Sequence, residues 1–171
     1  KQKDEDVSHF LEYIEKFGVK KNIAKEKNIY YVNKIIKPRQ SSKSGIITPS
    51  DLYIDKESNI YFTAYDEGEF KKISADGNFL FSINSFGKSN NKLKKLSSFT
   101  INKKNQILLT DFEKNIIVVY DINGKFLFDF SGTGRTQGKC FGPCGIVTDN
   151  HNNVYIIDRG NLRIQKFNED G

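Results

Sequence analysis

Asp158, Asn161 and Arg163 put a carboxylate, an amide and a guanidinium into one short stretch, the parts of an acid–base site or of one arm of a metal site. Asp111 stands 47 positions before Asp158, with Asn115 just after it. Cys140 and Cys144 flank Phe141-Gly142-Pro143. A disulfide is sterically open at that spacing, Pro143 restricts it, and two unpaired thiols is the simpler reading. A metal centre would need further ligands, and His9 and His151 are not at finger-like spacing. No Ser-His-Asp set, Gly-rich phosphate loop or pair of catalytic carboxylates stands out. No catalytic residue, metal or cofactor is expected on these grounds.

The elements that must position these residues repeat. Gly77, Gly124 and Gly171 are 47 residues apart, as are Asp55, Asn102 and Asp149, and Ile60, Ile107 and Val154. A fixed period of this size marks one supersecondary unit stacked on copies of itself. The copies read NIYFTAYDEGEFKKISADG from Asn59, QILLTDFEKNIIVVYDINGKFLFDF from Gln106 and NVYIIDRGNLRIQKFNEDG from Asn153. Each opens on β-branched and aromatic residues, turns, continues as an alternating strand and turns again at Asp-Gly or Asn-Gly, a hairpin signal. A further strand follows in two copies, Asn78–Ile83 and Lys125–Phe130, and a short apolar segment precedes each copy. Four short antiparallel strands per unit is the make-up of a propeller blade. The fold class is therefore all-β, with three to four blades present and the ring incomplete. Blades are expected over 49–96 and 97–142, with the first three strands of a last blade over 143–171.

The third copy, PCGIVTDNHNNVYIIDRGNLRIQKFNEDG, resembles the NHL repeat at Pro143, Gly145, Ile146, Asp149, Asn153, Tyr155, Asp158, Asn161, Arg163, Ile164, Phe167 and Gly171. The second copy keeps Asp111 and Asn115 but no Arg follows, and the first has Ala64 in place of the Asp. The resemblance covers roughly residues 49–171 and implies a β-propeller of the six-bladed type. It implies that Asp111, Asp158, Asn161 and Arg163 are structural, since those positions recur with the repeat. A strand-end Asp accepts turn N–H groups, and Arg can bridge to it. Tyr155 and Phe167 are expected between blades.

Residues 1–48 are expected to hold an outer strand and a shortened, degenerate blade. HFLEYIEKFG (9–18) superposes on NFLFSINSFG (78–87), and NIYYVN (28–33) on NIYFTA (59–64). An amphipathic helix over 10–17 is the competing reading. The chain has no Met, starts at an outer strand and stops at a third strand. A portion of a larger propeller is the first expectation, and closure by a second copy the other.

The net charge of +6 is uneven: residues 1–48 hold 11 Lys/Arg and 6 Asp/Glu, residues 49–171 hold 16 and 15. The near-neutral repeats argue against reading the whole chain as a nucleic-acid surface. No transmembrane run is present. Links from fourth to first strands and turns from second to third strands should emerge at one end of the blades. There they would gather Lys88, Lys92, Lys94, Lys95, Phe112, Lys114, Arg135, Lys139 and Arg159, with Tyr65 among them. The expected function is a non-catalytic scaffold that binds a protein through these loops, the partner including other blades or a second copy. An RNA-binding face, as in TRIM-NHL proteins, is the alternative, and part of a propeller lyase or hydrolase the third.

Overall fold

The computed structural model describes residues 48–89 and 91–171, all within the unit that runs from Ile36 to Gly171. The expected outer strand, degenerate blade and competing helix of residues 1–47 lie outside the described residues. Three antiparallel sheets follow in chain order. The first is β1 (Pro49–Ile54), β2 (Ile60–Ala64), β3 (Glu69–Ile73) and β4 (Phe79–Ile83). A two-residue hairpin, β5 (Ser85–Phe86) and β6 (Asn91–Lys92), lies in the link. The second sheet is β7 (Leu96–Ile101), β8 (Gln106–Asp111), β9 (Ile116–Asp121) and β10 (Phe126–Ser131). The third has β11 (Pro143–Thr148), β12 (Val154–Asp158) and β13 (Arg163–Phe167). Each sheet is a meander with strands in sequence order, and the described sheets form an open row, not a closed ring.

The 47-residue period is a backbone period. Ser58, Asn105 and Asn152 have φ of 64°, 55° and 62°, and Gly77, Gly124 and Gly171 have φ of 82°, 85° and 95°. In each first hairpin an Asx side chain takes the turn amides. Asp55 Oδ1 accepts the Glu57 and Asn59 N–H groups, Asn102 Oδ1 those of Lys104 and Gln106, and Asp149 Oδ1 those of His151 and Asn153. The Asn153 amide, at 2.8 Å, and the His151 N–H hold the Asp149 carboxyl down at about 2. Partial burial works against ionisation of Asp55, but Asn59 outweighs it and brings that carboxyl to about 2 as well.

Alternation on the strands sends residues to opposite faces, and both faces of the middle sheet are used. Phe99, Ile107, Leu109, Val118 and Tyr120 pack on Tyr61, Phe70 and Ile83 of the first sheet. Leu108, Ile117 and Val119 pack on Ile146, Val154 and Ile156 of the third. Phe167 joins that second core through Phe130, ring centroids 5.2 Å apart. Tyr155, expected between blades, belongs to neither core, because its strand turns it to the far side of the third sheet, where no described sheet follows. Polar ties join the first strands. Ser50 Oγ donates to the Leu96 carbonyl and Ser97 Oγ to the Pro143 carbonyl, each at 2.8 Å. Cys144 occupies the same position in the third sheet.

Candidate functional site: the link end

In a four-strand meander, the second-to-third turns and the links between sheets leave at one end, and the first and third hairpins at the other. Contacts make the link end continuous. The Lys94 and Lys95 N–H groups donate to Asp111, the Phe112 N–H to the Lys95 carbonyl, and the Gly142 N–H to Asn115 Oδ1. Asp111 also takes the Glu113 and Lys114 amides, so one buried carboxylate ties a link to a turn.

The third sheet elaborates this device. Buried Asp158 accepts the Phe141 N–H at 2.7 Å, Asn161 Nδ2 at 2.8 Å, Arg163 Nε at 2.9 Å and Gln165 Nε2 at 3.0 Å. Arg163 then donates to the Arg135, Thr136 and Lys139 carbonyls, Asn161 to that of Gly134, and Gln165 to that of Lys139. Burial alone would raise the Asp158 carboxyl, but the Phe141 N–H, Asn161 and Arg163 bring it below its ordinary value. Four donors hold it, three of them on Oδ2, and its basicity is reduced. The geometry makes it a staple for the Gly-rich link, and proton transfer or metal ligation would first have to dismantle it. In the first sheet, where Ala64 replaces the Asp, Glu67 Oε2 takes the Thr48 N–H and hydroxyl instead.

The nine residues predicted for a binding face all lie on the links and turns of this end. Lys88, Lys92, Lys94, Arg135, Lys139 and Arg159 are exposed, while Lys95, Lys114 and Phe112 are half-buried. None of these cations forms an ion pair with a described residue. Two amines are partly engaged, Lys92 with Asn84 Oδ1 at 3.3 Å and Lys139 with the Ser131 carbonyl at 3.1 Å. Aromatic rings sit under two others: Lys95 Nζ is 5.4 Å from the Tyr65 ring centre, and Lys114 Nζ 5.7 Å from that of Phe86. Phe112 lies tilted against Tyr65, ring centroids 6.3 Å apart, and Gly142 leaves room for it, since a Cβ there would come within 2.9 Å of the ring.

Phe86 and exposed Phe141 were not singled out from the sequence. The signal for Phe141 is the difference between copies, because it occupies the register position of Lys94. Acidic side chains at this end are Asp66, Glu67, Glu69 and Glu113, besides the buried Asp111 and Asp158, and Glu69 is paired with Lys71. The hairpin end instead carries Asp55, Glu57, Asp76, Asp121, Asp149, Glu169 and Asp170 against Lys56, Lys72, Lys103, Lys104 and Lys125, with Lys72 paired to Asp55 and Lys104 to Glu169. The near-neutral sum over the repeats thus resolves into a basic end and an acidic end.

Cys140 and Cys144 are free, and burial pushes the Cys140 thiol up, away from the reactive thiolate. His151 is exposed in a hairpin at the end opposite the links. Among the described residues no three His, Cys, Asp or Glu converge to hold a metal, and no helix is long and apolar enough to cross a membrane.

Four-stranded meanders stacked in a fixed register, with their first strands adjacent, define a fold of the β-propeller type. Solved structures agree. A streptogramin B lyase superposes with a TM-score of 0.58 at 16% identity, over 72% of this chain and 38% of its own. The virginiamycin B lyase from Staphylococcus aureus gives 0.58 at 15%, over 73% and 39%. The WD40 repeats of RRP9 give 0.54 at 13%, over 79% and 41%. At these identities the likeness is one of fold. The chain spans about two fifths of the length of these structures. No family model matches the sequence, and no curated protein matches it.

Proposed function

We propose that the chain is a non-catalytic binding scaffold of the NHL type, part of a propeller, whose link end receives an acidic surface of a protein partner. The observation that carries this reading is the row of cations on the links without an ion-pair partner among the described residues, set on a framework tied down by Asp111 and Asp158. A preordered loop loses little entropy on binding, and unpaired cations attract a partner of opposite charge. The NHL assignment rests on the residues of the third copy, among which Asp158, Asn161 and Arg163 act together as the staple.

A second reading is single-stranded RNA, favoured by Lys95 on Tyr65, Lys114 on Phe86 and the exposed Phe141 beside Arg159. One titration separates the two, with an acidic peptide and a single-stranded RNA of about 20 units each in a salt series. The protein reading expects saturable binding of the acidic peptide. It also expects at least a tenfold loss in the Lys88→Glu, Lys92→Glu, Lys94→Glu variant. Binding of the RNA alone, with a steep salt slope, establishes the second reading. Failure of both ligands at low salt contradicts both.

A further inference from the structure

Tyr65, Phe112 and Arg159 share a register position, each the first residue after the second strand of its sheet. Each turn is tied to the segment that leads into its own sheet. The Tyr65 N–H donates to the Thr48 carbonyl, the Phe112 N–H to that of Lys95 and the Gly160 N–H to that of Phe141. Their side chains form a row. The Lys95 amine lies 5.4 Å from the centre of the Tyr65 ring, and that ring lies 6.3 Å from Phe112. Phe112 rests on Gly142, where a Cβ would crowd its ring. Phe141 rests on Gly160, where a Cβ would overlap its ring, and is still 54% exposed. Arg159, next to Gly160, is exposed as well.

The order along the row is cation, two aromatic rings, cation. Neither Lys95 nor Arg159 has an ion-pair partner among the described residues. Stacked bases need open ring faces in succession. Here Tyr65 already carries Lys95, Phe112 lies between Tyr65 and Gly142, and Phe86 carries Lys114. Among the described rings of this end only Phe141 is exposed. An ammonium held on a ring keeps its charge and gains a fixed direction, which suits a carboxylate.

The spacing selects the shape of the ligand. Same-face side chains of an extended chain are about 6.6–6.8 Å apart, close to the 6.3 Å between the Tyr65 and Phe112 rings. A carboxylate over the Lys95–Tyr65 pair therefore places the side chain two positions on over Phe112 and Phe141. A second carboxylate, two positions further, falls on the side of Arg159. Building on the protein reading above, we infer that the partner presents an extended segment to this row. In that segment one aromatic residue is flanked by Asp or Glu two positions away on either side. The acids meet Lys95 and Arg159, the ring meets Phe112 and Phe141, and the pattern reads alike in either chain direction.

Three labelled peptides of about 12 residues, Gly and Ser outside the core, are titrated into the full chain at low salt. The cores are Glu-Ser-Phe-Ser-Glu, Glu-Phe-Ser-Ser-Glu and Glu-Ser-Ala-Ser-Glu. The second has the composition of the first but turns its ring to the opposite face. The first should bind about tenfold more tightly than either of the others. In the Phe141→Ala chain that advantage should vanish, while the other two peptides bind as before. In the Lys95→Gln chain all three should weaken alike, with circular dichroism unchanged in both variants. Equal binding of the three peptides overturns the inference and leaves the protein reading standing, since attraction of acid alone accounts for it. Binding of none overturns both. An advantage that survives in the Phe141→Ala chain places the ring elsewhere and overturns the site.

Discussion

The second and third sheets are built on one template and end up in different surroundings. Ile117 and Ile164 occupy the same register position, yet Ile117 is fully buried and Ile164 is 71% exposed. Leu108 and Tyr155 make a second such pair, Thr110 and Ile157 a third, and in each the middle-sheet residue is buried. The link ends differ as well: Asp111 holds four backbone N–H groups, whereas Asp158 holds one, that of Phe141, and the side chains of Asn161, Arg163 and Gln165. The repeat therefore dictates backbone and turns. What lies against each face decides which side chains carry stability.

The strongest way to break this comparison is to truncate the matched pair. Ile117→Ala should cost about 2–5 kcal/mol through its cavity, and Ile164→Ala less than about 0.5 kcal/mol, read by urea unfolding. Similar losses at both positions would mean that the far face of the third sheet is covered as the middle sheet is. Next in size, Asp158→Ala strips one end of the Arg163 staple and should cost about 3 kcal/mol. It should also loosen the link, seen as faster proteolysis between Gly134 and Lys139. Resistance equal to that of the parent chain would remove the staple from the account.

Acid sharpens the contrast between hairpins. Asp55 and Asp149 fall from an ordinary 3.8 to about 2 on folding, so the unfolded chain binds more protons at low pH. Their contribution is complete above about pH 4 and is lost as the pH falls toward 2. Asn102, at the same position in the middle sheet, does not titrate. The double variant Asp55→Asn, Asp149→Asn should flatten the melting temperature between pH 4 and pH 2, and an unchanged slope would count against the Asx turns.

The smallest effect concerns a turn. Gly68, Asn115 and Leu162 share a register position and all have positive φ, of 61°, 60° and 54°. Leu162 is 92% exposed, so it has backbone strain and little packing to offset it. Leu162→Gly should raise stability by about 0.5–1 kcal/mol. A loss of that size would show that Leu162 packs against something in solution.

The period, the all-β class and the strand order were legible in the sequence because turns in this fold are fixed by local chemistry. An Asx side chain takes the amides of one hairpin, and glycine supplies positive φ in the other. The clustering of lysines at one end was legible too, since strand parity alone sends the links there. The destination of Tyr155 was not legible. Alternation says that it faces the other way from Ile156, but only the presence of a neighbouring sheet could make that face a core. Phe86, matched only to Phe17, and Phe141, seen only between Cys140 and Cys144, were not assigned to the binding face because neither position is a Phe in the other links. The Ser50 and Ser97 ties were missed because they reach carbonyls 46 residues away.

The contrast between the sheets is tested most directly by native-state hydrogen exchange of the full chain. The amides of Ile117–Tyr120 in β9 should exchange only with global unfolding. Those of β13 that face away from β12 should exchange at least a hundredfold faster. Equal protection of β9 and β13 would contradict it, because the edge and far face of the third sheet would then be as covered as those of the second.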